Sequence, residues 1–152
     1  MITTVDGDAV QALREGSIDI LGHQVNLDGV MGAGIARQIA RTWPAIVPAY
    51  RHALATQALT LGRMQTFEVA PGRWIANLAG QQHPQRAGIA TDYPALHAAL
   101  ITYADWAHAH QLRAGLPYGI GCGLAGGDWA TVSALIATAF HASSVTLFRW
   151  IR

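Results

Sequence analysis

Asn26-Leu27-Asp28-Gly29-Val30-Met31-Gly32-Ala33-Gly34 lies between Ile18–Gln24 (IDILGHQ), an apolar stretch of strand length, and a segment with apolar residues at 35, 36, 39, 40 and 43. That second spacing marks one face of a helix, and it breaks before Pro44. The order strand, glycine-rich loop, helix points to an α/β protein. Glycine lets a backbone take positive φ and approach a ligand closely, and a helix N-terminus offers unpaired N–H groups to phosphate. A second loop of the same kind, Gly119-Ile120-Gly121-Cys122-Gly123-Leu124-Ala125-Gly126-Gly127, also stands just before a predicted helix. Two such loops facing each other would clasp a diphosphate without a lysine. The plainer alternative is that these glycines only make tight turns. Neither loop fits the dinucleotide fingerprint well: the first contains G-V-M-G-A-G, which lacks the G-x-G-x-x-G spacing and an acidic residue about 20 positions on.

Working outward, the pattern predicts a short helix around Asp8–Arg14 and another from Pro44 to about Thr56. Met64–Val69 and Trp74–Leu78 read as strands joined by a turn at Pro71-Gly72. Asp92–His110 has the long 3.6-residue period of a core-facing helix, with Asp92 as N-cap and Pro94 in its first turn. Leu112–Pro117 is a predicted strand, Asp128–Phe140 a helix and Val145–Trp150 a last strand. Strands alternating with helices predict a layered α/β sheet, with ligands bound where loops leave the carboxyl ends of strands. No repeat, low-complexity tract or charge run divides the chain, so one domain over 1–152 is expected.

Composition removes several function classes. The 152 residues are 51% hydrophobic and 12% charged, with a formal net charge of +1 and a mean hydropathy of +0.22. That balance argues against gripping nucleic acid through bulk electrostatics. All ten basic residues other than histidine are arginine. The absence of lysine excludes a Walker A lysine, Schiff-base chemistry and a lysine general base. The one cysteine, Cys122, excludes an internal disulfide and a thiolate zinc cluster. His108 and His110 are not spaced i, i+4, so no metal is expected. No apolar run reaches the roughly 20 residues that span a bilayer, and no signal peptide is visible. A cytoplasmic monomer with no membrane partner and no cofactor is the expectation.

The run V-N-L-D-G-V-M-G-A-G-I-A-R-Q-I-A-R-T-W-P from Val25 and the later P-Y-G-I-G-C-G-L-A-G-G-D-W from Pro117 together resemble the macro domain family, whose fold binds ADP-ribose. Gly7-Asp8, the G-x-M-x-T-F of Gly62–Phe67 and Asn77-Leu78 extend the match, in order, along the whole chain. Within the family the resemblance is to terminal ADP-ribose protein glycohydrolases and the DNA ADP-ribosyl glycohydrolase antitoxins. It implies a three-layer α/β/α sandwich around a mixed central sheet.

The resemblance also implies roles. Asp8, with Ala9 beside it, would accept from the adenine amino group, although Asp8 also reads as an N-cap. Asn26 would stand near the ribose hydroxyls, and Gly32, Ala33, Gly34 and Ile35 would wrap the distal ribose. Gly119, Ile120, Gly121, Cys122, Gly123 and Leu124 would bind the diphosphate, with Cys122 packing rather than reacting. Phe148 and Trp150 would line the adenine pocket; alternatively they finish the core. Gln81 occupies the position of the relatives' lysine and Ala125 that of their aspartate, so a lysine-dependent mechanism is closed. Asn26, Asp28 and Gln81 are then the residues expected to orient a hydrolytic water, with His83 and Arg86 on the following loop. Asp128 reads as an N-cap, and Arg37 and Arg86 either touch phosphate or are solvated. The implied activity is hydrolysis of mono-ADP-ribose from acidic protein side chains or from thymidine in DNA. Its partners would be ADP-ribose and ADP-ribosylated protein or DNA. The alternatives are a non-catalytic ADP-ribose reader and an ADP-ribose 1''-phosphate phosphatase.

Overall fold

Consecutive residues of an extended chain face opposite sides, and in β2 (Ile20–Val25) both sides are apolar. Ile20 packs into one core, Leu21 and Val25 into another. In β4 (Arg73–Ala79) the same alternation sends Ala76 and Leu78 to the first core and Ile75 and Ala79 to the second. Strands buried on both faces require helices on both faces. The computed structural model describes residues 1–84 and 89–150; Arg86, one of the expected phosphate contacts, lies outside them.

Among the described residues, six strands form one sheet in the order β1-β6-β5-β2-β4-β3. The others are β1 (Ile2–Asp6), β3 (Met64–Ala70), β5 (Ala114–Pro117) and β6 (Val145–Arg149). All neighbours are parallel except the β3–β4 hairpin, so the sheet is mixed. Helices α4 (Tyr93–Ala109) and α5 (Trp129–Ala139) cover one face. Helices α1 (Ala9–Glu15), α2 (Gly34–Thr42) and α3 (Ile46–Ala55) supply the core on the other. The three-layer α/β/α architecture is the expected one.

Asp8, Asp92 and Asp128 cap α1, α4 and α5, each accepting from a backbone N–H of the first turn. Caps of this kind are worth about 1 kcal/mol each. Helix and strand bounds fall within two residues of those expected, but β1 is not visible in the hydrophobic pattern. Its five residues are all exposed at the sheet edge, so no alternation betrays it.

A histidine occupies a core position of β2. His23 is fully buried, and its Nε2 lies 2.7 Å from Asn77 Oδ1 in β4. Asn77 Nδ2 donates to Gln65 Oε1 in β3 (3.0 Å), and Gln65 Nε2 donates to the Ala49 carbonyl in α3 (3.1 Å). A carbonyl can only accept, so the direction of the whole chain is set and Nε2 carries the imidazole proton. His23 Nδ1 then faces the core without a partner. Burial pushes the His23 pKa down from 6.5 to about 4, against a smaller upward effect of the Asn77 bond.

Candidate functional site

The first glycine loop leaves β2 at Asn26, and Asn26 organises it. Its Oδ1 accepts from the backbone N–H groups of Asp28 (3.0 Å) and Val30 (3.2 Å), and its Nδ2 donates to the Val30 carbonyl (2.9 Å). From α3 beneath, the buried Tyr50 hydroxyl reaches both the carbonyl and Oδ1 of Asn26. Burial pushes this phenol's pKa up. Arg51 Nε donates to the Gly29 carbonyl (3.0 Å), where the chain turns at φ +75°. Met31 plugs the loop into the core. At the end of the loop α2 begins at Ala33, which has no side chain to cap it. Its first N–H groups are therefore left for a ligand or water.

The second loop follows β5. Gly119, Gly121 and Gly126 adopt φ +80°, +74° and +71°. Gly127 N–H closes the loop onto the Gly121 carbonyl (2.9 Å). Cys122 Sγ turns back to the Ile120 carbonyl (3.4 Å) and packs against the α4–α5 core. Burial and the nearby Asp128 push its thiol pKa up, the opposite of what a nucleophilic cysteine needs. Asp128 accepts from the N–H and hydroxyl of Thr131, which hold its carboxyl below the usual range. It is the helix cap expected.

Between the loops lie two cavities of about 340 and 260 Å3. They share Gln24, Ala33, Ala36, Gln81, Leu124 and Ala125, and so form one cleft at the carboxyl ends of β2 and β5. Gln24, which the sequence did not single out, stands at its centre. Gln24 Nε2 donates to Gln81 Oε1 (2.7 Å) and to Thr91 Oγ1 (3.0 Å). Gln81 Nε2 donates to the His83 carbonyl (2.9 Å), and the Thr91 hydroxyl to the Gly121 carbonyl (2.6 Å). Carbonyls anchor both ends, so every amide orientation in this network is fixed. Gln24 Oε1 is left buried and unpaired, packed where a Cβ on Gly80 or Gly121 would sit, at 2.4 and 3.1 Å.

The cleft brings together Asn26, Gln81, Gly32, Ala33, Gly34 and Ile35 with Gly119, Ile120, Gly121, Gly123 and Leu124. It does not include the other expected contacts. The Asp8 carboxylate accepts from the Val10 and Gln11 N–H groups, and both its oxygens accept from Gln38 Nε2 of α2 (3.0 Å). Asp8 and Phe148 line a separate hollow of about 400 Å3 beside α1. Phe148 is 9% exposed and packs with Ile18 over Gly115, while Ala9 is buried in the core and Trp150 is exposed beyond β6. Asp28 sits outside the cleft wall at its mouth, its carboxylate 2.9 Å from His83 Nδ1. Arg37 is exposed on α2. Among the described residues, no group of three His, Cys, Asp or Glu side chains comes together to hold a metal ion, and no helix is long and apolar enough to cross a membrane.

No protein-family profile matches the chain. It is 30% identical over 144 residues, 93% of its length, to proteins named DNA ADP-ribosyl glycohydrolase from Mycobacterium tuberculosis and Mycobacterium bovis. The chain spans 39% of the length of these curated relatives. Among solved structures, the macrodomain of Mycobacterium tuberculosis DarG superposes with a TM-score of 0.81 at 26% identity, covering 97% of each chain. The chain is a macrodomain. The macrodomain of Thermus aquaticus DarG agrees, with a TM-score of 0.81 at 25% identity over 97% of each chain.

Gln81 lines the cleft with its amide bonded at both ends. Ala125 presents only a methyl group to the cleft. Two polar residues, His23 and Gln24, interrupt an otherwise apolar strand, and that interruption was the sequence signal for Gln24. Nothing in the sequence marked Thr91 or Tyr50, whose partners are distant along the chain.

Proposed function

We propose that this macrodomain binds ADP-ribose in the cleft between the two glycine loops and hydrolyses its bond to a modified macromolecule, without a lysine. The observation that carries this reading is the meeting of both loops with Asn26 and Gln81 in one cleft. The uncapped start of α2 and the positive-φ backbone of the second loop suit a diphosphate, which needs N–H donors rather than cations. At the other side of the cleft the carboxamides of Asn26 and Gln81 flank the position for the distal ribose. Hydrolysis there passes through an oxocarbenium-like state, which positioned dipoles stabilise as charge develops. In this reading Asn26 and Gln81 act mainly by holding the loop and the wall in place, because their amides are already bonded. Residues 1–152 act as one domain, since one sheet with a core on each face carries every part of the cleft.

The name of the mycobacterial relatives favours modified DNA over modified protein as the substrate class. The test is release of free ADP-ribose from thymidine-modified single-stranded DNA and from glutamate-modified protein. A second reading, a binding module without turnover, draws on the apolar Ala125 and the committed amide of Asn26. Tight ADP-ribose binding with no release from either substrate selects it.

A further inference from the structure

The cleft lacks an evident proton acceptor. Among the described residues, its wall carries one titratable side chain, the phenol of Tyr118, and otherwise amides, backbone and apolar groups. A phenol is a donor at neutral pH and a poor base. Cys122 is turned away with its thiol protonated. Water attacking an anomeric carbon has to lose a proton, so the acceptor is either a phosphate oxygen of the substrate or a group on the rim.

The rim holds one such arrangement. Asp28, two residues beyond Asn26, places its carboxylate oxygens 2.9 and 3.1 Å from His83 Nδ1. A carboxylate accepts, so Nδ1 carries a proton, and in the neutral ring Nε2 presents a lone pair. The backbone fixes both partners. The Asp28 N–H is held by Asn26 Oδ1 (3.0 Å), the Leu27 N–H by the Gln82 carbonyl (2.9 Å), and the His83 carbonyl by Gln81 Nε2 (2.9 Å). The flanking residues Asn26, Val30, Gln81 and Pro84 line the cleft, so the pair spans its mouth beside the proposed ribose position. Both side chains are exposed, His83 at 69% and Asp28 at 42%, so the pair adds little to stability and is open to water.

We propose that Asp28 and His83 form the acid–base pair of this macrodomain, His83 Nε2 taking the proton and Asp28 holding the imidazole in the required tautomer. This rests on the hydrolase reading above. As the water oxygen bonds to the anomeric carbon, its proton passes to Nε2, and the bond to the acceptor breaks with its electron pair left on the acceptor. The imidazolium returns the proton to that acceptor. Water and the ADP-ribosyl conjugate become ADP-ribose and the protonated acceptor, and nothing else is consumed. Gln81 thereby gains a role: its amide bonds the His83 carbonyl and orients the base.

The experiment measures ADP-ribose release from thymidine-modified single-stranded DNA by the full chain, its His83→Ala and Asp28→Asn variants and the double variant. ADP-ribose affinity is measured on each by calorimetry. His83→Ala is expected to lower kcat by roughly a hundredfold to ten-thousandfold, the usual share of a general base, with affinity for ADP-ribose held. Added imidazole is expected to restore part of the rate to His83→Ala, which a structural role would not allow. Asp28→Asn is expected to lower kcat less, and the double variant to be no worse than His83→Ala, because the two act as a unit. A His83→Ala enzyme with the parent's rate overturns the pair while leaving the hydrolase reading intact. Loss of rate in step with loss of ADP-ribose affinity, without imidazole rescue, also overturns it. An unmodified chain that releases nothing from DNA or protein overturns both.

Discussion

Lowering the pH from 7 to 4 is expected to cost this fold about 3 kcal/mol through one imidazole. His23 is fully buried, its Nε2–H is committed to Asn77, and its Nδ1 faces apolar core. A proton on Nδ1 would be a buried, unpaired charge, which is why the folded pKa falls from 6.5 to about 4. In the unfolded chain the ring takes that proton at its ordinary pKa. The stability contribution is therefore complete above pH 6.5 and is lost as the pH falls toward 4, where the folded state also protonates. Each pKa unit is worth about 1.4 kcal/mol, which gives the figure above. Asp19 and Asp128, whose carboxyls are held low by Arg113 and Thr131, lose their contributions only below the ordinary carboxylate range. Their effect thus falls in a separate window. Urea unfolding at intervals between pH 7.5 and 4 reads the slope directly. His23→Gln, which cannot titrate, should flatten it even if its stability at neutral pH is lower. A parent protein equally stable at pH 7 and 4.5, or a His23→Gln variant with the parent's slope, would refute the buried neutral imidazole.

Three substitutions test the cleft. Tyr50→Phe removes the hydroxyl that holds Asn26 from below; it should cost about 1 kcal/mol in urea unfolding and weaken ADP-ribose binding by calorimetry. Gly121→Ala forces a side chain onto a φ of +74° and brings a Cβ within 3.1 Å of Gln24 Oε1 and 3.2 Å of Thr91 Oγ1. It should cost about 1–2 kcal/mol of backbone strain in urea unfolding and weaken ADP-ribose binding by shifting the loop, with the circular-dichroism spectrum retained. Gln81→Ala cuts the bridge between Gln24 and His83, half-buried at one end and exposed at the other, and should lower turnover by roughly tenfold, the cost of about 1 kcal/mol for a lost hydrogen bond. Its ADP-ribose affinity should change much less. Affinity falling in step with rate would make Gln81 a binding residue.

How much of this was legible in the sequence depended on whether the controlling interaction was local. The caps Asp92 and Asp128 are read from one helical turn, and the structure has both. The two glycine loops were placed correctly because strand end, glycine run and helix start are neighbours in the chain. The Gln24 network was illegible because Gln81 and Thr91 lie 57 and 67 residues further on. Asn26 shows a subtler limit: it lines the cleft, but three bonds to its Oδ1 and one from its Nδ2 show that it builds the loop. Asp8 likewise caps α1 and is also held by Gln38, a partner on another helix that only the fold brings near. Phe148 lies on the last strand and Trp150 just past its end, and one is core while the other is exposed. Local pattern cannot separate them, because their difference lies in what stands opposite.

The measurement that bears most directly on the central claim is release of free ADP-ribose by the purified chain from thymidine-modified single-stranded DNA, set beside glutamate-modified protein. The account predicts release from at least one substrate, with the DNA favoured, by a protein that contains no lysine. Tight ADP-ribose binding with no release from either would contradict it and leave a binding module.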